Sequence, residues 1–313
     1  MISLDMIKLP SSLSGQSLHT LIWRPESPVG VVQILHGMSE HIARYNEFAR
    51  FLCENGYAVI GHSHLGHGLT AADADDLGYF GKSNGWNNLV NDVHTVRLEA
   101  QKQFGSLPHY ILGHSMGSFV TRTYITRPEA SGLAGVIICG TGHTPAAVLG
   151  TGRIITSLIG LFCGRRHRSK LVNSLSFGGY GKAFSPCRTD FDWLSNNSDD
   201  IDKYIADPLC GFCFTVSGFR DMFTGLLYIG KTKNIAKTES SLPCLFISGD
   251  RDPVGDCGKG VAKVADMFRS AGIKDVRVQL YENDRHEVLN EPDRVTVYND
   301  ILSFLKDAIT GLQ

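Results

Sequence analysis

Two serines in the chain stand between glycines in the pattern G-x-S-x-G: Ser83 in "GKSNG" (81–85) and Ser115 in "GHSMG" (113–117). A serine hydroxyl so presented can act as a nucleophile, provided a base takes its proton and a third group fixes the base. Local context separates the two. "GKSNG" follows "DADDLGYF", which supplies no buried strand, and its Asn-Gly reads as a turn before a helix opening near Trp86. "GHSMG" follows "HYIL" and precedes "SFVTRTYIT", giving strand, sharp turn and helix, the setting of a nucleophile elbow. Side chains at 113 and 117 would collide with the neighbouring strand and helix, so both positions favour glycine.

An elbow requires a base and an acid from loops further along the chain, in the order serine, acid, histidine. His286, in "NDRHEVLNE", is the only one of twelve histidines beyond position 167, and it follows the strand-like "VRVQLYE". Asp250, Asp252 and Asp256 follow "PCLFISG". Asp252 is preferred for its reach into the loop, whereas Asp250 at the strand's end suits a turn cap. Two backbone amides must also receive the oxyanion of a tetrahedral intermediate. Met116 follows the nucleophile, and Met38 lies in "HGMSEH" after the "VVQIL" strand, with Gly37 allowing close approach.

The elements that must position these groups alternate along the chain. Strand-like runs occur at 18–23, 29–35, 57–62, 109–113, 132–139, 243–249 and 276–281. Helix-length segments fall at 41–55, 86–104, 116–127, 258–271 and 291–309. Near-continuous Val/Ile/Leu runs alternating with helices predict an α/β fold with a mostly parallel central sheet flanked by helices. The first two runs are joined only by "RPESP", too short for a crossover, and are expected to pair antiparallel. The rhythm breaks between 142 and 236, a glycine-rich stretch holding eight of the sixteen phenylalanines. The expected organisation is a core of 1–141 and 237–313 with an inserted cap, 142–236, over the carboxyl ends of the strands.

Thirty basic residues against thirty-one acidic ones leave no bulk positive field for nucleic acid. The N-terminal "MISLDMIKLPSS" lacks a signal-peptide apolar core, and the eight scattered cysteines suit a reducing cytoplasm rather than a disulfide scaffold. Cys210-Gly-Phe-Cys213 has redox-motif spacing, with no nearby histidine in sequence to complete a zinc set. The apolar segment 146–163 contains Arg153 and three glycines and reads as an amphipathic helix, with Ile154, Ile155, Leu158, Ile159 and Phe162 on one face. "RRHR" (165–168) follows it directly, which suggests reversible contact with a membrane surface through the cap. Oligomeric state is not legible.

Together these residues resemble the α/β-hydrolase superfamily, specifically its monoacylglycerol lipase and bacterial lysophospholipase-like branch. "HGMSEHIARY" resembles that branch's oxyanion segment, "HSHLGHG" its H-D-H-x-G-H-G loop, "GHSMG" its elbow and "YENDRHEVLNE" its histidine loop. "FDWLS" and "ADPLCGF" resemble the cap of bacterial members. The resemblance implies an α/β-hydrolase fold and a Ser115–Asp252–His286 triad, with Met38 and Met116 as oxyanion donors. It implies a serine hydrolase of single-chain lipid esters that needs no metal or cofactor. Glu40 and Arg44 match the branch's polar pair near the head-group end and are candidates for substrate contact. Two departures stand out: Ser63 replaces the usual Asp, and "HEVLN" lacks the second histidine that lines the glycerol end in the animal lipase.

Other chemistries compete. His62, His64 and His67 approach the H-x-H-x-D-H pattern of metallohydrolases, with Gly66 in the acidic position and few downstream ligands to complete a shell. A non-catalytic binder of the same fold is a second alternative. An esterase, thioesterase or aminopeptidase acting on a smaller substrate is a third.

Overall fold

The computed structural model describes residues 1–310. Eight strands form one sheet: β1 Ser3–Pro10, β2 Ser17–Arg24, β3 Gly30–Leu35, β4 Tyr57–His62, β5 His109–His114, β6 Gly135–Cys139, β7 Cys244–Gly249 and β8 Val276–Tyr281. Their spatial order is β1-β2-β4-β3-β5-β6-β7-β8. From β4 to β8 every neighbouring pair is parallel. The five strands β3 to β7 are buried along their whole length, whereas the edge strands β1 and β8 alternate in exposure. Continuous apolar sequence is the mark of a strand covered on both faces.

Among the described residues ten α-helices accompany them. In the first part of the chain these are α1 Asn46–Glu54, α2 Gly85–Phe104 and α3 Met116–Tyr124. Between β6 and β7 lie α4 Ala146–Cys163, α5 Lys170–Phe177, α6 Ser198–Ala206, α7 Val216–Ile229 and the short α8 Thr232–Ile235. α9 Lys259–Ser270 and α10 Arg294–Thr310 complete the series. α1 shows why such segments dock: Phe48, Ala49, Leu52 and Cys53 recur at helical spacing, are buried, and pack against Val59 and Tyr298 in one core cluster. A second cluster, on the α2–α3 face of the sheet, joins Val90, Val120, Ile138 and Phe246.

The start of the chain corrects one expectation. β2 does not pair with β3. It lies antiparallel between β1 and β4, and β3 enters beyond β4, beside β5. The short "RPESP" link therefore carries the chain past a gap that β4 later fills. The edge position β1 takes went unread because "SLDMIKLP" mixes charge with apolar residues, as an exposed edge tolerates.

The helix at 146–163 forms with the expected bounds, but its apolar residues divide between two faces. Ile155 and Ile159 pack on the core, while Ile154, Leu158, Leu161 and Phe162 are exposed. By length and composition alone this helix could cross a membrane.

Candidate active site

Ser115 sits between β5 and α3 with φ 51° and ψ −118°, a conformation that a residue with a side chain adopts only under strain. The neighbouring glycines make the turn possible. A Cβ at 117 would stand 2.0 Å from the Leu35 carbonyl oxygen, and one at 113 would stand 2.4 Å from that of Gly117. The rival Ser83 lies in an exposed turn, where Asn84 adopts a left-handed φ of 54° just before α2.

His286 follows β8 and Asp252 follows β7, and both are buried. Nδ1 of His286 lies 3.0 Å from Oδ1 of Asp252, although the N–H is bent away from the line between them. Asp252 is held in turn: its Oδ1 accepts the Val254 amide at 2.8 Å and its Oδ2 accepts the Ser248 hydroxyl at 3.0 Å. Asp250 does something else, capping the start of the histidine loop by accepting the Asn283 amide at 2.8 Å. Burial pulls the His286 pKa down, but the Asp252 carboxylate outweighs it, aided by Glu287 and Glu40. The net value lies above the ordinary 6.5.

Ser115 and His286 line one cavity of about 1270 Å³, together with Met38 and Met116. Met116 opens α3, where a first-turn amide has no partner within the helix. The adjacent Met38 segment is pinned from both sides. His36 donates from Nδ1 to the Gly37 carbonyl at 2.7 Å, and Glu40 Oε1 accepts the Gly37 amide at 2.5 Å. The far wall comes from the segment between β6 and β7, including Leu149, Ile155, Tyr180, Trp193 and Phe223. Trp193 lies over His286 with ring centroids 5.2 Å apart.

Glu40 also lines this cavity, but both of its carboxylate oxygens are engaged, by Gly37 and Tyr45 on one side and Arg44 on the other. Arg44 stands behind it. Its guanidinium meets Glu287 in a two-pronged contact, both bonds 2.7 Å, and reaches Glu40 and Asp200 at 3.0 Å each. One cation thus joins the Met38 segment, the histidine loop and α6. Arg44 drives the Glu287 pKa to about 2 against the opposing effect of burial. Sequence reading missed Glu287, Asp200 and Trp193. The signals were an acid directly after His286, in "RHEVLN", and the tryptophan of "FDWLS".

His62, His64 and His67 cluster with His36 in the buried core, with ring centroids of His36 and His64 4.3 Å apart and of His62 and His64 4.8 Å apart. Their ring nitrogens do not converge tightly enough for shared ligation. Among the described residues the set close enough to hold an ion is a different one, His41, Asp207 and Cys210.

The basic run after α4 stays largely exposed while its guanidinium groups bond to the chain. Arg165 donates to the Lys82 carbonyl, Arg166 to Asp75 and Asp76, and Arg168 to the carbonyls of Ala74, Leu77 and Cys213. These arginines tie the end of α4 to the loop preceding α2.

A strained serine above a mostly parallel sheet, sharing its cavity with an acid-paired histidine, defines a hydrolase of the α/β-hydrolase fold. The chain belongs to the family described as serine aminopeptidase, S33, which matches residues 26–293. It is 26% identical over 288 residues to a monoacylglycerol lipase of Mycolicibacterium smegmatis, covering 91% of each chain. It is 26% identical over 304 residues to the human monoglyceride lipase, covering 92% of this chain and 86% of that one. Among solved structures, a thermostable carboxyl esterase from Bacillus coagulans in complex with glycerol superposes with a TM-score of 0.91 at 28% identity, covering 98% of this chain and 99% of the other.

Proposed function

We propose that this carboxylic ester hydrolase cleaves single-chain lipid esters through Ser115, His286 and Asp252. The observation that carries the reading is the cavity. At about 1270 Å³ it exceeds the roughly 300–1,000 Å³ usual for small-molecule sites. Much of its wall is apolar, which suits an acyl tail. Relatives named monoacylglycerol and monoglyceride lipase support the same substrate class.

His286 takes the Ser115 proton as the hydroxyl attacks the ester carbonyl, and the oxyanion rests on the Met38 and Met116 amides. Protonated His286, steadied by Asp252, then gives its proton to the leaving alcohol. Water activated by the same imidazole releases the fatty acid and restores the serine. Residues 142–236 serve as a cap over this chemistry. The exposed face of α4, with Leu158, Leu161 and Phe162, provides reversible contact with lipid surfaces, while the arginines behind it anchor the helix. Eight free cysteines fit a reducing, cytoplasmic setting.

The test is a hydrolysis panel of monoacylglycerols, lysophospholipids, short p-nitrophenyl esters and aminoacyl amides, with Ser115→Ala as control. Preference for long-chain single-acyl esters supports the reading, whereas preference for aminoacyl amides or short esters contradicts it. Vesicle co-sedimentation weakened by Leu161→Ser with Phe162→Ser tests the surface contact. Unchanged sedimentation removes it.

A further inference from the structure

A cluster of metal-ligating side chains lies outside the catalytic groups, where the cap segment meets the oxyanion segment. His41 belongs to the core, two residues after Ser39, while Asp207 and Cys210 lie in the turn after α6. Their ligand atoms fall within 4.8 Å of one another. No histidine neighbours Cys210 in the chain, but the fold brings His41 to it from far along the sequence. Cys213, the other half of the C-x-x-C, faces the Ser169 and Phe214 carbonyls instead.

We infer that His41, Asp207 and Cys210 bind a zinc-class divalent cation that clamps the cap to the oxyanion segment. The donor set is imidazole, carboxylate and thiol, which selects a borderline-soft ion over magnesium or calcium. The groups are already oriented. Asp207 Oδ1 accepts the Leu209 amide at 2.8 Å, which turns Oδ2 toward His41 Nε2, also at 2.8 Å. The Cys210 amide donates to the Asp207 carbonyl at 3.0 Å, fixing the turn that carries the thiol. Tetrahedral ligands about 2.0–2.3 Å from an ion stand roughly 3.3–3.8 Å apart, so the imidazole and carboxylate part slightly while the sulfur closes in.

Charge favours the ion as well. Around Arg44 stand Glu40, Glu287 and Asp200, and Asp207 adds a fourth carboxylate against one guanidinium. On binding, Cys210 gives its thiol proton to solvent. His41 moves the ring proton that meets Asp207 Oδ2 from Nε2 to Nδ1 through solvent, which frees the Nε2 lone pair for the ion, so the site loses one proton, that of the thiol, to the buffer.

The position gives the clamp a consequence. Ser39, at φ 56°, is held by the same turn: its carbonyl accepts the Gly211 amide at 2.9 Å and the Tyr204 hydroxyl at 3.0 Å, and its hydroxyl donates to the Phe212 carbonyl at 2.7 Å. Met38, the proposed oxyanion donor, is the next residue back. An ion that draws Cys210 toward His41 therefore pulls on the segment that carries the Met38 amide, and turnover falls.

The experiment titrates the chelator-treated full chain with Co²⁺, following the near-ultraviolet thiolate-to-cobalt absorption. Zn²⁺ is then measured by competition with a chromophoric chelator. Wild type is expected to show the thiolate band. Cys210→Ser is expected to lose it, and Cys210→Ser and His41→Gln to bind Zn²⁺ at least about 10-fold more weakly. Cys257→Ser, at an exposed thiol, keeps both signals. Zn²⁺ slows wild-type hydrolysis of a p-nitrophenyl ester reversibly with chelator, whereas Cys210→Ser keeps its metal-free rate and needs at least about 10-fold more Zn²⁺ for the same inhibition. A band that survives in Cys210→Ser, equal Zn²⁺ affinity in the variants, or site-specific binding that leaves turnover unmoved overturns the inference.

Discussion

His286 and a buried cluster of four other histidines differ in one respect. His286 has a carboxylate 3.0 Å from Nδ1 and a pKa raised above 6.5. His36, His62, His64 and His67 are equally buried, but each has its pKa lowered, His62 and His67 to about 3. Burial is the first cause in every case. Only His286 has an acid to overcome it. Among the described residues both ring nitrogens of His62 and His64 lack hydrogen-bond partners, and Ser63 stands beside them where the resembled branch carries Asp. Desolvation alone depresses an imidazole's pKa, while a carboxylate beside the ring can hold that pKa in the range a general base needs.

The comparison can be broken most severely at the acid. Asp252→Asn should lower kcat on a p-nitrophenyl ester by about 10⁴-fold, as loss of the orienting carboxylate does in serine proteases. A drop of only a few-fold would mean that His286 works without it. The pH profile follows from the same pairing. His286 must be neutral to accept the serine proton, so kcat/KM should fall as pH drops through an apparent pKa above 6.5.

Arg44→Met should come next, since it strands Glu287 beside the base. Breaking a buried ionic contact costs about 3–5 kcal/mol, readable as a lower denaturation midpoint. The Glu287 pKa, about 2, lies below the ordinary 4.5. That stabilisation is full above pH 4.5 and is lost as pH falls toward 2, so acid should narrow the gap between variant and wild type. A variant equally distant from wild type at low and neutral pH would contradict the assignment.

Ser63→Asp sharpens the contrast from the other side. A carboxylate among the imidazoles should raise the pKa values of His62 and His64, read by NMR titration, with hydrolysis changed far less than by Asp252→Asn. The smallest effect is expected of Asp250→Asn, which removes a turn cap and should cost about 0.5–2 kcal/mol of stability with turnover nearly unchanged.

Much of this was legible in the chain because it rests on local chemistry. The elbow announces itself through glycines, since a Cβ at 117 has nowhere to go, and His286 through its place after a strand. The buried strands read as continuous apolar runs. What escaped detection depends on which distant segments meet. The order β2-β4-β3 is fixed by β4 filling a gap, which no spacing between the first two strands reveals. "RRHR" shows its charges in the chain but not the carbonyls of 74–82 that its arginines bond from an exposed position. Arg44 and Glu40 looked like substrate contacts. In the structure Glu40 reaches the cavity wall with both oxygens occupied, and Arg44 joins the Met38 segment, the histidine loop and α6 from behind.

In the proposed mechanism an acid-backed histidine makes Ser115 nucleophilic. The direct measurement is fluorophosphonate labelling of the full chain at neutral pH, followed by peptide mapping. One adduct is predicted, on the peptide carrying Ser115, strongly slowed in His286→Ala and Asp252→Asn. No adduct, or an adduct on Ser83, would contradict it.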